Sequence, residues 1–531
     1  IGHHLKEPVD SKWMVISKNM VIPRSESNIT LEYTGMNSSV EIKQADVTLL
    51  VYPLDTIDDP ISAAYAINDL YYYSGKQAAS GPAMTYPVFV AAAQSLLNHG
   101  SSSQSYLYKA IIPYMRMPFA QFSEQSDDDY DTNGGLNPAF PFLTGNGGVL
   151  ESIIYGLTGI RYTYEVNPTR AMDRILKFDP TELAALPNGL AIRGFHYMDN
   201  VLDFIINDTN GTVVHRSGNN SITIRVPNRN GYDDTNVHFY SPSNSSLHRR
   251  SESQMRVGTD GSIYYTIHPG QELVIPVYKP LLAVEGNIAE HRQVTNLTNG
   301  VAGDVGLSAI DGNNYTHWQP IDKNAAKLLI DLGSEQQINR GSINWGSRPA
   351  KNYSISILPH SELLETLFTN VTYILENNNG TTEEGMTEAL AYLEQYMSSG
   401  NSSGNGTCSS DITDILNWKL GSFNGMIQSM PDLEPLHESF ITIVDNQKVV
   451  PSLPYYSEVD TKAIVALLPG NVTEFNIDYS KVKYNTSLSC LPGAESDDWK
   501  KARYVIVSVQ GTYDNDTYPY GATLNEIVLQ N

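Results

Sequence analysis

The chain has 531 residues, with 34 basic against 58 acidic side chains and a formal net charge of -24. At about 150 residues per domain this length predicts three or so domains. So acidic a surface repels phosphate backbones and anionic lipid, which argues against nucleic acid and membranes as partners.

From the start of the chain, the first 160 residues read as helices separated by long loops. IKQADVTLLVYPL, YPVFVAAAQSLLNHG, SSQSYLYKAIIPYMRMPF and GGVLESIIYGLTGI are apolar, rich in small residues and poor in β-branched alternation, which predicts buried helices packed on helices. Glycine and proline punctuate them in SGKQAASGPAMT, DTNGGLNPAFPF and TGNGG, predicting loops at one end of a helical barrel. Over 161–285 the texture changes to short β-branched and aromatic runs bounded by turn residues (ITIRVPN, VHFYS, SIYYTIHPG, ELVIPVYK), the pattern of a β-sandwich. The region 286–531 is again β-rich, with LLIDLG, INRGSINWG, YSISILP, RYVIVSVQG and NEIVLQN. An insertion over about 360–465 interrupts it, with a predicted helix EEGMTEALAYLEQYMSS and a low-complexity run NSSGNGTCSS. The fold class expected is a multidomain α plus β chain.

Asn-X-Ser/Thr triplets occur at Asn28, Asn37, Asn207, Asn210, Asn219, Asn244, Asn296, Asn314, Asn352, Asn370, Asn379, Asn401, Asn405, Asn471, Asn485 and Asn515. Only two precede Asn207, and the crowding of the rest predicts a glycosylated, secreted protein whose sequons mark surface positions. A sequence pI near 4.8 suits an acidic compartment. Cys408 and Cys490, if joined, close a loop worth about 4 kcal/mol in the chain-entropy model; two separate buried thiols is the alternative. No run approaches the ~18 apolar residues of a membrane span. The chain starts at Ile1 and shows no signal peptide, which reads as a processed or truncated product.

Several chemistries lack their motifs. No GxGxxG, Walker loop, HExxH or GxSxG is present, and two distant cysteines make no CxxC zinc site. His3 and His4 are adjacent, and on a helix would point about 100 degrees apart, poorly placed to share a metal. No cofactor is expected.

Three segments, in order, resemble a known family: KQADVTLLVYPL at Lys43–Leu54, YYYSGKQAASGPAMTYPVFVAAAQSL at Tyr71–Leu96 and FPFLTGNGGVLESIIYGLTGIRY at Phe140–Tyr162. They are similar to the C-terminal half of the catalytic domain in glycoside hydrolase family 65, and within it most like the fungal acid trehalases. The resemblance implies the second half of an (α/α)6 barrel over 1–160, followed by β-sandwich structure, and inverting attack on an α-glucosidic bond.

Inverting hydrolysis needs a protonated carboxyl on the leaving oxygen and a carboxylate that activates water on the opposite face of the ring. Glu124, in PFAQFSEQ ahead of FLTGNGG, matches the position of the family's base. Phe119 and Phe122 are expected to desolvate it, and Asp127, Asp128 and Asp129 to repel its charge if they fold close. Glu151 is a second candidate, or else a residue bonded to the TGNGG turn. Lys43 and Gln44 match the family's sugar-contacting pair and supply N–H donors suited to a neutral sugar. Thr144, Gly145, Asn146, Gly147 and Gly148 are expected to form an anion-receptive loop ahead of a helix; related phosphorylases place phosphate near here.

The family's general acid lies in a D-E-Y or D-E-F motif absent from this sequence, while IGHHLKEPVDSKW resembles the segment that follows it. The acid is therefore expected on a separate N-terminal fragment, bound to this chain through helix faces that half a barrel leaves exposed; a higher oligomer is also open. SAIDGNNYTHWQP, KLLIDLG, INRGSINWG, ARYVIVSVQG and ATLNEIVL resemble a discoidin or coagulation-factor type C sandwich over 286–531, with Asp311, Trp318 and Trp345 as core and turn residues. The resulting expectation is an acid trehalase of the cell exterior, periplasm, cell wall or vacuole. The alternatives are a non-catalytic glycan-binding or adhesion protein and a disaccharide phosphorylase, with kojibiose and nigerose as other substrates of the same framework.

Overall fold

The computed structural model describes residues 10–57, 60–78, 80–166, 172–229, 236–241, 244–249, 254–377, 383–398, 440–451, 465–467, 470–483, 494, 498–513 and 519–531. His3, His4, Cys408, Cys490 and the sequons at Asn379, Asn401, Asn405, Asn485 and Asn515 lie outside them. Among the described residues there are seven α-helices: α1 (Ser11–Asn19), α2 (Pro60–Ser74), α3 (Thr85–Leu96), α4 (Ser102–Ile111), α5 (Leu143–Glu151), α6 (Ser361–Asn377) and α7 (Glu383–Ser398).

Helix α3 is buried on nearly every side, as its largely apolar sequence demands. Its Pro87 falls in the first turn, where a missing N–H costs nothing. The small Ala91–Ala93 run lets neighbours approach closely. A π-helical turn, Ser152–Leu157, continues α5 and crosses α3 at Gly156, where a Cβ would lie 2.8 Å from Val90 Cγ1. Two sequence expectations change here. IKQADVTLLVYPL forms only a 3-10 helix, Asp46–Leu50, with turns around it. Residues 144–148, expected as a loop, lie in the first turns of α5. Helix α2 was not foreseen.

Residues 161–276 form two sheets. One has six strands in the order 244–249, 238–241, 272–276, 210–217, 200–206, 190–197, and the other five in the order 255–257, 263–267, 222–226, 172–177, 161–166. Ile222–Val226 shows why it is a strand: Ile222, Ile224 and Val226 turn inward while Thr223 and Arg225 turn out. One apolar core runs through from the helices into these sheets, joining Phe89, Val90 and Leu157 to Leu176, Phe178 and Phe204.

Further on, strands 293–296, 325–337, 501–512, 350–359 and 441–448 make a five-stranded sheet, and 472–476, 340–344 and 526–530 a three-stranded one. Trp318 and Trp345 lie fully buried in the core between them. Ile441–Lys448, inside the stretch expected as an insertion, returns to pair with Ala350–Pro359. Helices α6 and α7 cover the outer face of that sheet through Leu364, Leu367, Val371, Ala389 and Leu393.

Candidate functional site

Glu124 lies in a loop whose backbone is held from two sides. Its N–H donates to Ala139 O (3.0 Å), and its carbonyl accepts from Ala83 N–H (2.9 Å). Its carboxylate Oε2 accepts from Ala139 N–H at 3.0 Å, and the side chain is half-buried. The carboxylate is thus oriented by fixed backbone rather than by a flexible partner.

The loop before α3 connects this carboxylate to the Lys43–Gln44 segment. Ile42 donates to Lys76 O and accepts from Ala78 N–H, Gly81 N–H donates to Ala78 O, and two residues later Ala83 reaches Glu124. A Cβ on Gly81 would sit 2.9 Å from Ala78 O and 3.4 Å from Lys43 O, so glycine keeps the loop tight there. Lys43 and Gln44 themselves are exposed, just ahead of the 3-10 helix. The start of α5 closes the third side. A Cβ on Gly145 would meet Ala83 Cβ at 3.0 Å and Phe122 Cβ at 3.4 Å, and one on Gly148 would meet Pro87 Cγ at 3.2 Å. Gly145 and Gly148 are therefore packing glycines within a helix. Thr144 and Gly147 are exposed, and Asn146 donates its amide to Phe142 O.

Three expectations about neighbours are corrected. Phe122 is buried among Ala83, Ala110, Tyr114 and Val149, but Phe119 is 81% exposed and shields nothing. The acidic run has partners of its own: Asp128 is engaged by Arg116 Nε (2.6 Å) and Ser123 Oγ (2.5 Å), and Asp127 by Thr132 Oγ1 (2.7 Å). Partial burial works against ionisation of Asp128, yet the bonds from Arg116 and Ser123 outweigh it and hold its carboxyl below the usual range. Glu151 ends the helix that contains 144–148, and its side chain is engaged across the fold by Tyr52. It accepts a 2.5 Å hydrogen bond from Tyr52 Oη, and burial, with Glu151 adding, pushes the Tyr52 phenol up.

Sequence reasoning missed Arg116, which also donates to Gln125 O and Ser126 O at 3.0 Å each and so fixes the chain next to Glu124. A lone arginine ahead of three aspartates was the available signal. Among the described residues no group of three or more His, Cys, Asp or Glu is arranged to hold a metal ion. A small cleft lined by Gln94, Ser101, Ser102, Gln104, Thr181 and Glu182 lies away from Glu124.

Around this site large apolar side chains face outward: Met117 (75%), Phe140, Leu143 (77%), Leu150 and Leu54 are exposed. Helix α1 buries no residue, although it carries Trp13, Met14, Val15 and Ile16. Of the sequons, Asn28, Asn207, Asn219, Asn314 and Asn370 are exposed, and Asn37, Asn210, Asn296 and Asn352 half-buried. Asn471 is buried, its amide on Gly346 O, so that sequon does not mark a surface position.

No family model matches the chain. Over its full length the chain is 54% identical to the periplasmic/secreted acid trehalase ATH1 of Candida glabrata, covering 42% of that protein. It is 53% identical, again over its full length, to the periplasmic acid trehalase ATC1 of Saccharomyces cerevisiae, covering 45% of it. A kojibiose hydrolase of Mucilaginibacter mallensis is 34% identical over 30% of this chain and 22% of its own length. The chain therefore spans less than half the length of the acid trehalases it matches. Among solved structures, chitosan-binding module 2 from a Paenibacillus chitosanase/glucanase covers 46% of this chain at 14% identity with a TM-score of 0.21, too low a likeness to bear on the fold.

Proposed function

We propose that the chain is the C-terminal portion of an inverting acid α,α-trehalase of glycoside hydrolase family 65, acting with the general acid from an upstream fragment. The observation that carries this reading is Glu124: its carboxylate is oriented by Ala139 N–H at 3.0 Å, within a loop tied through Ala83 to the Lys43 segment and the start of α5. The 54% identity across the whole chain to an acid trehalase supports it as well. In this reading 1–160 is half of an (α/α)6 barrel, 161–285 a β-sandwich and 286–531 a discoidin-like sandwich with an insertion.

Glu124 takes a proton from water as the water attacks the anomeric carbon. The upstream acid protonates the glycosidic oxygen from the other face, with the two carboxyls roughly 6.5–9.5 Å apart so that water fits between. Lys43 and Gln44 donate to hydroxyls of the glucose being attacked, and the uncapped N–H groups that open α5 lie beside the same loop. The attacked ring leaves as β-glucose while the other keeps its α configuration. The upstream fragment covers the outward apolar side chains of α1 and of the Glu124 face, which a protein of this charge does not leave in water without reason. The protein works outside the cytoplasm, in the periplasm, cell wall or vacuole, with glycans on exposed sequons such as Asn207 and Asn370.

The test is trehalose hydrolysis by the protein carrying its upstream region, followed by anomer-resolved NMR. Equal initial α- and β-glucose, without added phosphate, is expected. Strict dependence on phosphate would make the protein a phosphorylase, and release of the attacked ring as α-glucose would refute inversion.

A further inference from the structure

Three carboxyl groups from distant parts of the sequence meet where the helical region abuts the last β region. Asp311, Glu290 and Glu526 are each 4% exposed or less. They gather because two glycine backbones touch. Gly100, at φ +70, and Gly312, at φ +74, are so close that a Cβ on Gly312 would lie 2.8 Å from Gly100 Cα and 2.6 Å from Glu290 Oε1. Ser101 N–H, at the entry to α4, donates to Asp311 O at 2.7 Å, so the helical region is tied directly to the carboxyl-bearing turn.

Donors reach Asp311 and Glu290 from several sides, and the shortfall lies at Glu526. Asp311 accepts from Asn313 N–H (3.0 Å) and Thr316 Oγ1 (2.8 Å). Glu290 accepts from Ala283 N–H at 2.8 Å. Glu526 accepts from Gly312 N–H through Oε2 at 3.1 Å, while its Oε1 is buried with no hydrogen-bond partner among the described residues. A buried carboxylate oxygen with no protein donor, beside two further acids, is costly to keep charged, and a proton on the cluster removes that cost.

We propose that Asp311, Glu290 and Glu526 form a proton-retaining junction that fastens the helical region to the last β region in acid and loosens it as the solution approaches neutrality. Other titratable groups around it do not supply the missing positive charge. Tyr71 and Tyr106 face Asp311 and are neutral, burial pushing both phenols up, and Tyr315 stacks on Tyr71 at 5.0 Å. His291 Nε2 is 3.7 Å from Glu290, but burial lowers that imidazole to about 4, so the contact is no ion pair over most of the acid range. His99 is lowered by burial as well, and Arg292 bears on His291 and disfavours its protonation. Burial raises Asp311 to about 7 and Glu290 above its ordinary range, and raises Glu526 well above it, with Asp311 and Glu290 adding to the last.

The sign follows from linkage. The folded junction keeps protons that the unfolded chain releases above about pH 4. Its stabilisation is fully present below about pH 4 and is lost as pH rises through about 7, where Asp311 ionises. Each retained proton changes the folded-to-unfolded ratio by about tenfold per pH unit in that window. This inference stands independently of the catalytic reading.

The experiment is a pH series of amide hydrogen exchange at Ser101 and Gly312 in the whole protein, beside Glu526→Gln. Wild type should exchange progressively faster there from pH 5 to 7.5, beyond the intrinsic base dependence of exchange. Glu526→Gln, which removes the titrating proton while keeping an acceptor for Gly312, should flatten that loss by about tenfold per pH unit. Should the variant fold poorly, infrared difference spectra of wild type at pH 6 serve instead, and a protonated-carboxyl band is expected. Flat wild-type protection, a variant shifted equally at every pH, no such band at pH 6, or one divalent cation per chain by elemental analysis would each overturn the proposal.

Discussion

Arg229 and Asp179 bind the helical region to the first pair of sheets, and the two should fail unequally. Arg229 reaches Asp179 through Nε (3.0 Å) and Nη2 (2.7 Å), donates to Leu97 O at 2.9 Å through Nη1, and also bonds Gln94 O. Their side chains are 5% and 4% exposed. Removing one partner of a buried pair costs about 3–5 kcal/mol, and each orphaned carbonyl about 1 kcal/mol or more. Arg229→Met leaves Asp179 with the positive charges of Lys177 and Arg161, which soften the loss, so we expect about 4 kcal/mol. Asp179→Asn takes from Arg229, Lys177 and Arg161 the carboxylate they share, leaving Arg161 and Lys177 the weaker pull of Asp55, and should cost more, roughly 5 kcal/mol. At about 2–4 °C per kcal/mol for a unit of this size, the melting temperature drops by roughly 10–20 °C, the aspartate variant lower. Denaturant titration of both variants, with unchanged slope, is the assay. Equal losses, an inverted order, or losses under about 1 kcal/mol would refute the reasoning.

The site's packing gives a matched pair of tests. Gly145→Val drives a side chain into Ala83 and Phe122, should cost about 1–3 kcal/mol and should lower kcat by displacing the loop that holds Glu124, whereas Gly147→Ala, with nothing within 4 Å, should stabilise α5 by about 0.5–1 kcal/mol and leave kcat alone. Arg116→Ala frees the Gln125 and Ser126 carbonyls and should lower kcat more than it raises KM, as steady-state kinetics would show. Asp304 is held at about 2: burial pushes it up, but Lys109 and His317 more than offset that. Its contribution is present above about pH 4 and lost as pH falls towards 2, so Asp304→Asn should cost about 2 kcal/mol at pH 6 and little at pH 2, read from thermal melts across pH.

What could be read from sequence was whatever is local. Ile222–Val226 alternates with period two, and Thr85–Leu96 is apolar over most of its length, so both were legible. TGNGG reads as a loop because glycine is a poor helix former; it is helical because Gly145 and Gly148 must let Ala83 and Pro87 approach, a demand set by residues some sixty positions away. The motif around Glu124 singles it out as a candidate, but its orientation by Ala139 was not legible. Glu151 pairs with Tyr52 across 99 residues, and Gly312 meets Glu526 across 214, contacts that no spacing encodes. Buried Asn471 shows the converse, a sequon pattern with no surface behind it.

The most direct test of the account is Glu124→Gln in the protein with its upstream region, assayed on trehalose with circular dichroism as the folding control. The amide keeps the acceptor for Ala139 N–H but cannot take a proton, so a loss of at least about 100-fold in kcat with an intact fold is predicted. Activity within a few-fold of wild type would contradict the assignment of Glu124 as the base.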